Sequence, residues 1–149
     1  MQIHMLAVAL MLVLAACQSE EAATEPEATV RVASPPDALV YIISPEDGAT
    51  ISGREVKVIF GLSGMGVAPA GVDMEGTGHH HLLVDVVELP DMDMPVPADS
   101  NHIHFGLGQT EAVLSLAPGS HTLQLLLGDY RHIPHDPPVA SAAVTIVVE

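Results

Sequence analysis

The stretch Glu55–Leu62, EVKVIFGL, alternates charged and apolar residues in the way that half-buried β-strands do. Because successive side chains of a strand point to opposite faces, its apolar side chains would share one face. That set is Val56, Val58, Phe60 and Leu62. A strand with one apolar face needs a second layer to cover it. The stretch therefore predicts a layered β-fold.

Five other segments carry strand patterning, bounded by Gly, Pro or Asp residues that favour turns. They are Val40–Ile43, His81–Leu89, Ala112–Leu116, His121–Leu127 and Val139–Val148. No stretch of residues 38–149 has ten residues of helical periodicity with capping residues. The pattern predicts an all-β domain, an antiparallel immunoglobulin-like β-sandwich, with a small closed β-barrel as the alternative.

The N-terminal residues predict export and a lipid anchor. The apolar run Met5–Ala16 suits the hydrophobic region of a secretory signal and is too short for a transmembrane helix. It ends in Leu14-Ala15-Ala16-Cys17, which resembles the lipobox of bacterial lipoproteins. The resemblance implies a signal peptide over residues 1–16 and a diacylglycerol group on Cys17. The alternative is an ordinary signal peptide with an incidental cysteine.

Residues 17–37 are predicted to form a flexible acidic linker, because they are rich in Ala, Glu, Pro and Thr. Residues 38–149 suit one compact domain. Gln18 after the cysteine favours the outer membrane, by the same resemblance. The expected location is therefore the cell envelope, on a membrane facing the periplasm. Lipidation of the single cysteine would also leave no thiolate for metal binding or catalysis.

The charge excludes nucleic acid as a partner. The chain has 19 Asp+Glu against 4 Lys+Arg, a net charge of -15 with histidine neutral, and no Trp. Such a surface repels phosphate backbones and offers no tryptophan on which bases could stack.

Histidine is the residue type that points to chemistry, with 9 in the chain. His79-His80-His81 runs into a strand pattern, so His79 and His81 would share one face and His80 the other. His102-Ile103-His104 repeats the spacing. Two His-x-His pairs can present imidazole nitrogens to copper or zinc.

Three more histidines lie near turns, and the loops at one end of a sandwich cluster in space. The predicted metal ligands are therefore His79, His81, His102, His104, His121, His132 and His135. In the alternative, these rings only hydrogen-bond within the fold, and for His80 a place in the core is favoured. The sequence predicts release of a bound metal as the imidazoles protonate near pH 6.5.

Several long strings resemble the DUF4399 family of small exported bacterial domains of unknown function. They are IISPEDGATISG, FGLSGMGVAPAG, TGHHHLLVD, PVPADSNHIHFGLGQTE and PGSHTLQLLLGDYRHIPHDPPV, which together span nearly all of residues 42–148. The resemblance implies that the histidine run, Asn101–His104, His121, His132, His135 and Asp136 belong to the family pattern. It implies little about function.

The sequence thus predicts a lipid-anchored envelope domain that binds copper or zinc through a histidine cluster, for sequestration or delivery. No catalytic residue is assigned, and a role without catalysis is favoured. One alternative is an envelope scaffold or interaction module with structural histidines. Another is a zinc-dependent hydrolase or superoxide-handling enzyme. The predicted partners are the membrane, through Cys17, and the metal ion; no protein partner is identified.

Overall fold

The computed structural model describes residues 30–149, which form nine β-strands and no helix. The predicted signal peptide, Cys17 and most of the predicted linker lie outside the described residues. The strands are β1 (Leu39–Ser44), β2 (Ala49–Ile51), β3 (Glu55–Ser63), β4 (Gly66–Val67), β5 (Thr77–Val84), β6 (His102–His104), β7 (Glu111–Ser115), β8 (Gly119–Gly128) and β9 (Val144–Val148). Nothing in the described range forms a helix able to cross a bilayer.

The strands form two sheets. One has the order β1-β3-β7, and the other has the order β2-β9-β8-β5-β4, with β6 also paired to β5. All pairs are antiparallel except β2 with β9 and β4 with β5. The fold is therefore an all-β, immunoglobulin-like sandwich, which confirms the predicted class.

The main core lies between the two sheets. The stretch that predicts the fold, β3, buries Val56, Val58 and Phe60 and exposes Glu55 and Lys57, as its alternation requires. The opposite sheet contributes inward-facing residues from β5, β8 and β9 to the same cluster. These are Leu82, Val84, Leu123, Leu125, Leu127, Ile146 and Val148.

The larger sheet is also covered on part of its outer face. Leu83 and Leu126 point away from the main core and pack with Val96, Val86 and Met92, which belong to the segment that follows β5. Strand β5 is therefore buried on both faces along nearly its whole length. Any side chain on β5 is buried, whichever way it points.

Two predicted strands have different limits. The strand predicted over His81–Leu89 starts at Thr77 and ends at Val84. It ends there because Asp85 adopts a left-handed conformation (φ 57°) and its carboxylate accepts a hydrogen bond from the Thr122 amide at 2.8 Å. At the C-terminus only Val144–Val148 is strand. Before it, the Leu125 amide donates to the hydroxyl of Ser141 at 2.9 Å, where a regular strand would offer a backbone carbonyl.

Residues 31–34, which the sequence assigns to the linker, pair with the loop that precedes β9. The Asp136 amide donates to the Val32 carbonyl at 2.9 Å, and the Ser34 amide donates to the Asp136 carbonyl at 2.9 Å. Among the described residues, the folded unit thus includes residues 31–34 as well as the predicted domain, which starts at residue 38.

We expect Asp85→Ala to lower the free energy of unfolding by about 2–3 kcal/mol. It removes the acceptor for the Thr122 amide and the His121 ring, and it places an alanine in a left-handed conformation. Asp85→Asn is the matched control, since asparagine tolerates this backbone and keeps an acceptor. Urea denaturation of both variants measures the difference. Equal losses of unfolding free energy in the two variants would show that the charge of Asp85, and not its backbone conformation, stabilises this turn.

Candidate metal centre

Strand β5 places two histidines on the outer face of the larger sheet. His79 and His81 alternate with His80, Leu82 and Val84, which face the main core. The outer face is covered, so His79 and His81 are 0% and 1% exposed. The histidine run is thus neither a surface tag nor part of the main core.

Strand β6 adds a third imidazole. Its antiparallel register sets His104 directly opposite His81. The ring centroid of His104 lies 5.2 Å from that of His81 and 5.0 Å from that of His79. One nitrogen from each of the three rings falls within 4.8 Å of the others, a spacing that could hold a metal ion. His104 is solvent-exposed, so the group opens to the surface on that side.

A fourth ring comes from the turn after β8. His132 adopts a left-handed conformation (φ 71°), and its amide donates to the Asp129 carbonyl at 2.9 Å. Its ring centroid lies 4.9 Å from that of His79 and 4.7 Å from that of His104. The imidazole cluster is defined here as His79, His81, His104 and His132.

Two glycines give the rings their space. A Cβ at Gly106 would overlap Cε1 and Nε2 of His104, and a Cβ at Gly128 would lie 2.7 Å from Cε1 of His81. Residue types larger than glycine would thus displace a ring at either position. No sequence signal indicates these roles, because each glycine meets its ring through a tertiary contact.

The two buried imidazoles lack hydrogen-bond partners. Both ring nitrogens of His79 and both of His81 are buried and unpaired within residues 30–149. Buried polar groups are normally satisfied, and leaving one unpaired costs about 1–3 kcal/mol. Unpaired groups of this kind call for an explanation, and a bound ion or water is one.

Burial keeps these rings neutral. It lowers the pKa of His79 to about 4, with His132 and His104 acting in the same direction and Asp129 opposing them. Burial lowers the pKa of His81 to about 3, assisted by His79, His104 and His132, while the nearby Leu126 carbonyl acts weakly against it. The pKa of His104 is also lowered, by burial and by His132. Neutral imidazole is the form that binds metals.

The nitrogens of His79, His81 and His104 are spaced so that they could hold one ion, and the His132 ring lies beside them. Four imidazoles that each bind one ion at about 2.0–2.1 Å would set their ring centroids about 5 Å apart in a tetrahedral arrangement. The six observed separations run from 4.7 to 6.0 Å, the longest being that between His81 and His132.

The other predicted ligands lie apart from the cluster. Nδ1 of His102 pairs with the Asp99 carboxylate at 2.9 Å. Both ring nitrogens of His121 are taken, by Asp85 at 2.7 Å and the Ala117 carbonyl at 2.8 Å, and Asp85 raises the His121 pKa.

His135 is buried with its ring nitrogens near two backbone carbonyls, of Leu127 at 3.5 Å and Thr77 at 3.2 Å. His80 packs on Phe60 in the main core, with Nδ1 3.2 Å from the Gln109 carbonyl. The structure thus brings together four of the seven predicted ligands, and places His80 in the core.

Comparison with known proteins gives the class but not the activity. The family described as "Domain of unknown function (DUF4399)" matches residues 58–149, so the chain belongs to this family, as the resemblance implied. No curated protein matches. Among solved structures the chain is similar to one titled "Structures of Clostridium thermocellum CbhA fibronectin(III)-like modules". The identity is 12%, with 74% of this chain and 94% of that chain covered and a TM-score of 0.46.

The stability of the metal-free protein should fall as pH is lowered from about 6.5 to about 4. In this window the unfolded chain protonates His79 and His81 while the folded chain does not, so protons favour unfolding. The slope is at most about 1.4 kcal/mol per pH unit for each histidine. His121 does not add to this slope. Its pKa is raised by folding, so the stability that it contributes is fully present below pH 6.5.

Urea denaturation at several pH values and constant ionic strength measures this dependence. His79→Ala should give a shallower slope than the wild type, and Val113→Ala, at an exposed position, should keep the wild-type slope. Equal slopes in the wild type and His79→Ala would show that His79 is not held neutral by the fold.

Proposed function

We propose that this domain binds a transition metal ion, copper or zinc, through His79, His81, His104 and His132. The observation that carries the proposal is the set of four buried, unpaired ring nitrogens on His79 and His81. His104 and His132 lie beside them with their ring centroids about as far apart as the rings around one ion would be. An ion would bind one nitrogen of each ring, and so give two of these four nitrogens a partner that the fold does not supply.

The donor set favours a transition metal over calcium or magnesium. Those hard cations take oxygen ligands, whereas imidazole suits zinc, copper and nickel. Asp129, the buried carboxylate near His79, is occupied, since its oxygens accept from the Arg131 and Ile133 amides and from the Arg131 side chain. The four rings therefore act as an all-nitrogen set.

The arrangement favours holding an ion over catalysing a reaction. Catalytic zinc sites use three protein ligands and leave a position for water, whereas four protein ligands close a tetrahedral site. Three of the imidazoles have nitrogens within 4.8 Å of one another, and His132, whose ring centroid lies 4.7 Å from that of His104, is proposed as the fourth ligand. Sequestration or delivery is thus the proposed role, and a zinc hydrolase or superoxide-handling enzyme is the less supported alternative.

A path for the ion exists on one side. His79 and His81 are fixed on a central strand, while His104 is exposed and His132 is only partly buried. An ion would reach the buried pair past the outer pair. The net charge of -15 would raise the local concentration of cations. A lipid anchor at Cys17 would keep the loaded domain at the envelope membrane.

The alternative function, a scaffold or interaction module, requires the histidines to be held by hydrogen bonds within the fold. Each described histidine outside the cluster has at least one ring nitrogen with a partner: both nitrogens of His121 have one, whereas His80 has one at Nδ1 and none at Nε2. In His79 and His81 neither ring nitrogen has a partner among residues 30–149. This contrast within one domain favours binding over a purely structural role for the cluster.

His104→Ala should weaken Zn(II) and Cu(II) binding by roughly 100-fold or more, since loss of even an outer partner of a ligand costs 10–100-fold. His102→Ala is the matched control, because His102 lies on the same strand two residues away and is held by Asp99. Isothermal titration of both variants measures the affinities. Equal affinities in the two variants would remove His104 from the site, and a wild-type chain without binding would refute the proposal.

Gly106→Ala should also weaken metal binding, by roughly 10-fold, because the new methyl group would push the His104 ring from its place. Gly66→Ala is the control, since a Cβ there would meet only the Thr77 methyl group at 3.3 Å among nearby side chains. Affinity and thermal stability are measured on both variants. A loss of stability in Gly106→Ala with unchanged affinity would contradict the assigned position of His104.

A further inference from the structure

His132 reaches the cluster on a turn that is organised by one buried carboxylate. Asp129 is 1% exposed, and its Oδ1 accepts from the Arg131 amide at 2.7 Å and from the Ile133 amide at 3.0 Å. The amide and carbonyl of Asp129 bond to the Ile133 carbonyl and the His132 amide. Within this turn His132 has a left-handed conformation (φ 71°), and its ring centroid lies 4.9 Å from that of His79.

Hydrogen bonds also connect this turn to the N-terminal segment, residues 30–34. The Arg131 guanidinium donates to Oδ2 of Asp129 at 2.9 Å and to the Val30 carbonyl at 2.9 Å. One side chain thus joins the carboxylate that shapes the turn to the segment outside it.

The same segment also contacts the residues that follow His132. Arg31 donates to the Pro134 carbonyl at 3.1 Å and to the His135 carbonyl, and its guanidinium lies 3.6 Å from the Asp136 carboxylate. Backbone hydrogen bonds join Val32 and Ser34 to Asp136. Residues 30–34 therefore contact the chain both before and after His132.

We infer that residues 30–34 act as a clasp that positions His132 as the fourth metal ligand. This inference rests on the proposed metal site. With the clasp docked, four imidazoles surround the ion; with the clasp undocked, the His132 turn loosens and three remain. Arg31 is a positioning residue in this scheme and does not touch the ion.

The clasp is built to undock more easily than the sandwich unfolds. Its contacts are a few hydrogen bonds to backbone groups, together with ion pairs to Asp93 and Asp136, whose side chains are 73% and 66% exposed. Ion pairs with such exposed partners contribute little stability. Retention of the ion would thus depend on whether residues 30–34 stay docked.

The test compares Arg31→Ala with Arg54→Ala in the full-length chain loaded with Zn(II). Arg54 is a matched control, because it also donates to a backbone carbonyl, that of Leu116, away from the cluster. Zn(II) release to a chromogenic chelator is followed by stopped flow. Arg31→Ala should speed release roughly 10-fold, as changes to groups that orient a ligand do, and Arg54→Ala should not.

The same pair of substitutions is then made in a His132→Ala background. If Arg31 acts through His132, Arg31→Ala causes no further acceleration there, because the group that it positions is already gone. Equal acceleration in both backgrounds, or none in the wild-type background, overturns the inference. If the wild-type chain binds no Zn(II), the proposed function fails, and the inference fails with it.

A measurement without metal separates the two failures. In the metal-free chain, hydrogen exchange at the Arg131 and Ile133 amides should be faster in Arg31→Ala than in the wild type, and unchanged in Arg54→Ala. Unchanged exchange in Arg31→Ala overturns the clasp even where the wild-type chain binds Zn(II) as proposed. Faster exchange with unchanged Zn(II) release shows that the clasp holds the turn but does not position a ligand, which also overturns the inference.

Discussion

Burial of two neutral imidazoles on a strand covered on both faces is the constraint on which the rest of this structure depends. Strand β5 lies at the centre of the larger sheet, with β8 on one side and β4 and β6 on the other. Its outer face is closed by the second apolar cluster around Leu83. His79 and His81 on this face are 0% and 1% exposed and have no partners among residues 30–149, which costs stability in the metal-free state. Groups retained at such a cost are expected at functional sites.

The fold was predictable because its signals are local. The alternation in EVKVIFGL correctly placed Val56, Val58 and Phe60 in the core, and the same rule separated His80 from His79 and His81. Strand ends were less predictable. The end of β5 at Val84 depends on the left-handed Asp85 and its bond to Thr122, which is a contact between strands distant in sequence.

The candidate site could be predicted only in part, because cross-strand register decides which histidines meet. His102 and His104 share a spacing and a face, and nothing in His102-Ile103-His104 distinguishes them. The register sets His104 opposite His81 and His102 opposite Leu83. Only His104 therefore meets the buried pair, while Asp99 takes His102. A one-residue change in pairing would move every side chain of β6 to the other face, and the sequence does not fix this pairing.

The pKa values change how the proposed site would release an ion. A histidine with an ordinary pKa near 6.5 loses its metal to protons in mildly acidic water, which is the release that the sequence predicts. Burial instead lowers the pKa of His79 to about 4 and that of His81 to about 3. Protons then compete poorly for half of the ligands at any pH near neutral. An ion held by this pair would leave mainly when the outer ligands move, and of these His104 is paired to β5 in the sheet while His132 sits on a turn. The control point of the proposed site is therefore the position of one side chain, set by contacts that lie outside the cluster.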